Sequence, residues 1–376
     1  MEEPSSMPYK DDALSVEWVA SDTALSRVVN GWDTRIGIDT EFQRTDTFYP
    51  IPGLYQVISG DRIFLIDPMK ISRWQPLVEL LEDPGVVKIM HACSEDLELM
   101  SHHLDAAPAA IFDTQLANAF QSRDFSTSYA NLVLQQLDVA LGKHQTRSNW
   151  LRRPLSEDQI RYAGEDVHYL PLLFECLSTR LRDLGRTEWF QEVMTDKGRF
   201  VSGDPESYYR SVKNAWKLDI PQLNVLQCLC AWRERKAMSE DVPRSRVVWD
   251  EHLYGFAKIP RLSHEDVRGV LPRPVARKYT EQLLEQHRMG AGNEKALELP
   301  TRPLTQGQGA ITKTLRGVAR ELAEQLEFAQ ELIARKREVE ACVRHYFATG
   351  QLSPAYLGWR APLLADEFNR LLQNLR

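Results

Sequence analysis
The run Arg35-Ile36-Gly37-Ile38-Asp39-Thr40-Glu41-Phe42 decides the fold. Its branched apolar residues predict a buried β-strand. Strand side chains alternate faces, so Asp39 and Glu41 point the same way. Two carboxylates about 4–7 Å apart repel by about 2–4 kcal/mol at an effective dielectric of about 20. A buried strand end that carries both needs a positive partner.

Outward from this strand, the first half of the chain reads as α/β. "LYQVIS" (54–59) and "RIFLID" (62–67) flank Gly60-Asp61, a hairpin signal. An amphipathic stretch runs from Trp74 to Leu81, and Pro84-Gly85 turns the chain into the strand "VVKIM" (86–90). Residues 94–104 read as helix, "AAIFDT" as a short strand, and helices dominate to about Leu184. The pattern predicts a mixed sheet with helices packed on it. From Leu223 the pattern is all helix, with Leu223, Leu226, Cys230 and Ala237 at helical spacing. Residues 289–309 are rich in Gly and Pro and read as a linker.

Three more candidate site residues come from two other places. Asp96 follows the 86–90 strand, where a helix begins. Tyr162 and Asp166 lie four residues apart, and Ser156 with Gln159 forms a capping-box pattern that starts their helix. Both therefore sit on one helical face. Pro171 should end or kink that helix, and Glu165 should point elsewhere, into solvent. Singly, each feature has an ordinary explanation: an exposed strand end, a helix N-terminal charge, a packing tyrosine. Together, Asp39, Glu41, Asp96 and Asp166 put four negative charges in one pocket, which requires cations. Oxygen ligands suit magnesium or manganese. Two such ions about 3.5–4 Å apart clamp an in-line phosphoryl displacement. A tyrosine, protonated at neutral pH, orients the attacking water.

The 376 residues are 43% hydrophobic and 26% charged, ordinary globular values that suggest two or three domains. Residues 1–12 read as a loose polar leader without a signal-peptide core, and no apolar run is long enough for a membrane span. The five cysteines lack metal-binding spacing and fit reduced thiols in a cytoplasmic protein. Net charge is −7, unevenly spread. Residues 1–221 hold 22 basic against 34 acidic side chains, 222–300 hold 13 against 11, and 301–376 hold 11 against 8. The acid lies in the first half, and the later segments are mildly basic, as phosphate contact would favour.

"DTEF", His91 to Asp96 and Tyr162 to Asp166 resemble the three exonuclease motifs of the DEDD superfamily, in its DEDDy branch. "FYPIPGLYQV", "FDTQ" and "KHQTRSNWLRRPLSEDQIRYAGEDVHYL" extend the likeness to the ribonuclease D family over nearly the whole chain. The resemblance implies a ribonuclease-H-like exonuclease domain. It also implies two divalent ions on Asp39, Glu41, Asp96 and Asp166, with Tyr162 positioning the water. The implied activity is 3′–5′ hydrolysis of RNA to 5′-mononucleotides, notably at the 3′ ends of tRNA precursors. A DNA-directed exonuclease and a non-catalytic RNA-binding adaptor are the rivals. Around Trp232-Arg233-Glu234 and "DVPRSRVV" (241–248) the chain resembles an HRDC domain, a small helical bundle, and "LIARKREVEACV" with "GWRAPLL" resembles a second copy.

The expected division is an exonuclease domain at 13–200, a linker at 201–221, and all-α HRDC-type bundles at 222–300 and 301–376. A monomer with no obligate protein partner is expected. Lys143, Arg147 and Trp150, in a basic segment with His144, Asn149, Arg152 and Arg153, are candidates for holding phosphates and stacking a base. An ordinary solvated loop is the alternative. Gln56 and His91 are further candidate substrate contacts, His91 alternatively satisfying a local hydrogen bond. Asp113 is expected to cap a helix.

Overall fold
The computed structural model describes residues 15–142, 148–293 and 295–373. The chain forms two compact units. The first contains residues 1–43, 52–199 and 314–376, and the second contains 44–51 and 200–313.

The first unit is built on six strands: β1 (Val16–Val19), β2 (Arg35–Gln43), β3 (Ile51–Ser59), β4 (Arg62–Ile66), β5 (Val87–Met90) and β6 (Ile111–Asp113). Their order is β1-β4-β3-β2-β5-β6. β2, β5 and β6 run parallel, as do β1 and β4, while β3 and β4 form an antiparallel hairpin. The sheet is therefore mixed, as the sequence predicts. Gly60 takes φ +60° at the first turn position, where a two-residue hairpin demands a left-handed residue. β1 escapes the sequence reading because only Val19 of its four residues is buried.

Helices α1 (Asp22–Val29), α2 (Gln75–Glu82), α3 (Ser94–Leu104), α4 (Thr114–Ala119), α5 (Tyr129–Leu137), α6 (Glu157–His168), α7 (Leu170–Asp183) and α8 (Thr187–Lys197) complete the α/β part. Ile36 and Ile38 of β2 are fully buried in a core with Tyr55, Val57, Leu97 and Met100. Gly37 is required for close packing, since a Cβ there would meet the Ile58 side chain at 2.6 Å and Leu170 Cβ at 2.9 Å. Both halves of the Ser156–Gln159 capping box form and start α6. α6 ends at His168, and Pro171 sits in the first turn of α7, where its missing N–H costs no hydrogen bond.

The second unit contains α9 (Ile220–Glu240), α10 (Arg244–Val247), α11 (Asp250–Ala257), α12 (His264–Val270) and α13 (Arg273–Ala291). Its core joins Leu226, Leu229 and Cys230 to Leu253, Phe256 and Leu283. The expected linker at 201–221 differs from the observed structure. It carries two 3-10 turns whose Tyr209, Val212 and Ala215 are buried in this core.

Helices α14 (Gln306–Gln325), α15 (Gln330–Ile333), α16 (Lys336–Thr349) and α17 (Asp366–Gln373) follow. The sequence reading makes 301–376 a module of its own, whereas the described residues from 314 onward pack within the first unit. Ala329 N donates to Ala119 O at 2.9 Å, and Arg186 donates to Phe120 O and Leu326 O at 2.5 and 2.6 Å. Trp359 is 5% exposed and lies 5.4 Å from the rings of Phe120 and Trp189. Buried aromatic contact of this kind holds the C-terminal helices on the first unit. No helix among the described residues is long and apolar enough to cross a membrane.

Candidate active site
Three elements bring the candidate acids together. β2 and β5 are parallel with Gly37 opposite Ile89, so the chain leaving β5 enters α3 beside the end of β2 that carries Asp39 and Glu41. Asp96 lies in the first turn of α3, and both α3 and α6 pack on β2. Tyr162 and Asp166 stand one turn apart on α6 and are hydrogen-bonded to each other.

Asp39 and Glu41 both feel the charges of Asp96 and Asp166. Asp39 is held well above the usual carboxylate range by burial first, then by Asp96, Asp166 and Glu41. Burial, Asp166 and Asp96 push Glu41 up to about 8. Burial raises Asp166 to about 7 against the opposing Tyr162 hydrogen bond, and Asp96 to about 6 against the opposing bond from Thr40. The Tyr162 phenol is raised by burial and by Asp166, Glu41 and Asp39, so it keeps its proton at neutral pH.

Thr40 and Tyr129 belong to the site without a signal in the sequence. The Thr40 hydroxyl donates to Asp96 Oδ1. Tyr129 donates to Glu165 O at 3.1 Å and accepts from Tyr169 N at 3.2 Å, which fixes the junction of α6 and α7. Glu165, expected in solvent, is half-buried.

The donor set fits hard divalent cations. Every candidate ligand atom is an oxygen, and Asp166 Oδ2 is buried without a hydrogen-bond donor among the described residues. Among the described residues, no three acidic, histidine or cysteine side chains stand close enough to hold an ion as placed. Thr40 holds Asp96 and Tyr162 holds Asp166 by hydrogen bonds that a cation would compete with.

The candidate substrate contacts divide. Trp150 is 4% exposed and packs 6.0 Å from the Tyr162 ring, so it supports the tyrosine and leaves little face for a base. Gly53 makes room for it, since a Cβ there would meet Trp150 Cβ at 2.6 Å. Arg153 is committed to structure: it pairs in bidentate fashion with Asp67 at 2.7 and 2.9 Å and donates to Gly53 O and Trp150 O. Both His91 ring nitrogens are engaged, with Thr114 Oγ1 at 2.9 Å and Thr127 O at 3.1 Å, and burial lowers its pKa. Gln56 is fully buried, its amide atoms without partners among the described residues. Lys143, His144 and Arg147 lie outside the described residues. Asp113 caps α4 and also accepts from Ala92 N and Cys93 N.

Comparison with known proteins agrees with this geometry. A family described as 3′–5′ exonuclease matches residues 16–182, and the HRDC domain family matches residues 222–286. Ribonuclease D of Pseudomonas paraeruginosa is 38% identical, the match covering 96% of this chain and 99% of the relative. Ribonuclease D of Escherichia coli is 32% identical with the same coverage. The crystal structure of E. coli RNase D, described as an exoribonuclease involved in structured RNA processing, superposes with a TM-score of 0.87. That match covers 96% of this chain and 99% of the crystallised one, at 32% identity.

Proposed function
This chain belongs to the ribonuclease D family and is a 3′–5′ exoribonuclease, and we propose that Asp39, Glu41, Asp96, Asp166 and Tyr162 carry its chemistry. The observation behind this assignment is the gathering of four carboxyl groups from three elements, close enough that Asp96 and Asp166 raise both Asp39 and Glu41, with Tyr162 tied to Asp166.

Asp39, Glu41, Asp96 and Asp166 would hold two divalent cations, magnesium or manganese. When bound, such ions supply Lewis acidity to the phosphate and lower the pKa of a water. Tyr162 Oη keeps its proton and can orient the attacking water by hydrogen bonding, with Trp150 fixing the ring. The water oxygen attacks the terminal phosphodiester in line, and the P–O3′ bond breaks. A 5′-mononucleotide leaves, and the shortened RNA keeps a 3′ hydroxyl. The substrates we propose are structured RNAs with free 3′ ends, tRNA precursors among them, in line with the processing role stated for E. coli RNase D.

The test is purified Asp39→Ala on a 5′-labelled RNA with magnesium or manganese. Wild type should give a descending ladder and the variant none, with its circular dichroism unchanged. A ladder from the variant equal to wild type would overturn the assignment. A matched DNA strand should be cut more slowly, because telling the two apart depends on the 2′-hydroxyl.

A further inference from the structure
We propose that Gln56 is a positioning residue of the active site: its side-chain N–H donates to the Asp39 carboxylate when divalent cations occupy the four acids. The inference rests on the exonuclease reading and gives a role to a residue which that reading leaves idle. Gln56 is fully buried, and neither its Nε2 nor its Oε1 has a hydrogen-bond partner among the described residues. A buried amide left unpaired opposes folding, and an apolar side chain of that size would fit the place better. Its presence there calls for a partner that arrives later.

The sheet turns Gln56 toward the acids. β3 lies between β4 and β2. Tyr55 and Val57 join Ile36 and Ile38 in one core, so Gln56 takes the opposite face. Gly37 shares that face with Ile58, since a Cβ on Gly37 would meet the Ile58 side chain. Asp39 and Glu41 follow Gly37 at the strand period and point the same way. Around Gln56 the face is apolar: Leu54 and Ile58 lie on its own strand, and Leu65 and Ile63 across the hairpin, all buried. α6 packs on both β2 and β4, the strands on either side of β3. Its buried residues, Ala163, Gly164 and Val167, bring no polar side chain to the amide.

The acids supply the acceptor that is missing. A carboxylate has about four lone-pair sites. A bound cation takes some of them, and outer donors fill others and fix the ligand's direction. Asp96 has the Thr40 hydroxyl as such a donor, and Asp166 has Tyr162. Asp39 has the backbone N–H of Thr40, and it stands on the strand beside β3, on the face of Gln56. Gln56 is the side-chain donor placed to serve it. Full burial keeps Gln56 from the RNA itself, so its action runs through a ligand.

The experiment compares Gln56→Met with wild type in the full-length protein. Isothermal titration with manganese alone should show affinity reduced by about 10- to 100-fold, the usual effect of losing an outer partner of a ligand. In EDTA the variant should melt at the wild-type temperature or above it, because a thioether needs no strong hydrogen bond. A purely structural glutamine predicts the reverse pair, lower melting and unchanged manganese affinity. Gln56→Leu, a second side chain without a donor, should repeat the loss of manganese affinity. RNA affinity in EDTA should equal wild type in both. Manganese affinity equal to wild type in either variant, or melting of Gln56→Met below wild type in EDTA, would overturn the proposal. A wild type that binds manganese and hydrolyses RNA would leave the exonuclease reading intact in that event. A wild type that takes up no manganese would overturn the metal reading and this proposal with it.

Discussion
Glu41→Gln should make the metal-free protein more stable, and increasingly so as pH rises. Glu41 is pushed from 4.5 up to about 8 by burial, Asp166 and Asp96. A carboxyl group with a raised folded pKa binds more protons folded than unfolded, so stability falls as pH rises. The loss begins near the unfolded value of 4.5, grows through the window to about 8, and is complete above it. At about 1.4 kcal/mol per pKa unit the ceiling is about 5 kcal/mol. Partial exposure, water entry and simultaneous titration of Asp166 and Asp96 reduce this to about 1–3 kcal/mol. A change of that size moves Tm by about 2–10 °C in a domain of this size. The assay is thermal unfolding in EDTA at a series of pH values from 5 to 9. The Tm difference, variant minus wild type, should be small at the acid end and largest at the alkaline end. Added magnesium should reverse the order, because it binds the folded wild type better than the variant. A constant Tm difference across the series, or a variant less stable than wild type at alkaline pH in EDTA, would refute the electrostatic account of this site.

Tyr162→Phe should lower kcat by about 10²–10⁴ and leave RNA affinity in EDTA unchanged, since only the water-orienting hydroxyl is removed. Thr40→Val should raise the magnesium concentration for half-maximal activity by about 10- to 100-fold, as loss of an outer partner of a ligand does, with little change in melting. Arg153→Met should cost about 3 kcal/mol in urea unfolding because Asp67, 3% exposed, loses its partner. Adding Asp67→Asn to that variant should recover part of the loss.

The carboxylates were legible because their placement follows from backbone periodicity alone. A period of two aims Asp39 and Glu41 together, and a spacing of four stacks Tyr162 over Asp166 above a capping box that forms as read. Longer-range placement leaves no such trace. Nothing local marks Thr40 as the donor to Asp96, or Arg153 as the partner of Asp67 eighty-six residues away. Trp150 looked like a stacking surface because it stands among cations in the sequence. Its burial follows from Gly53, whose missing side chain admits it. The C-terminal helices read as a free module because their apolar spacing shows that a face is buried, not against what. Trp359 and Arg186 make that choice, by packing and hydrogen bonding in the exonuclease unit.

Four acids that repel one another must be held by a fold that gains stability elsewhere. β2 shows how the two demands share one strand. Ile36 and Ile38 anchor it with fully buried side chains, and Gly37 lets α7 press on it directly. The acids follow at 39 and 41, where the strand leaves that core. The same alternation that buries the isoleucines turns Asp39 and Glu41 to one side, so the anchor and the aim come from one periodicity. A helix would carry Tyr162 and Asp166 equally well but could not put two carboxylates two residues apart on one face. The strand supplies the closely spaced pair, and the helices supply the acids that close round it. Shifting the register of β2 by one residue would bury both acids among the core residues and drive Ile36 and Ile38 against α7, into space that only Gly37 leaves. The hydrophobic effect that fixes the register therefore also fixes the active site.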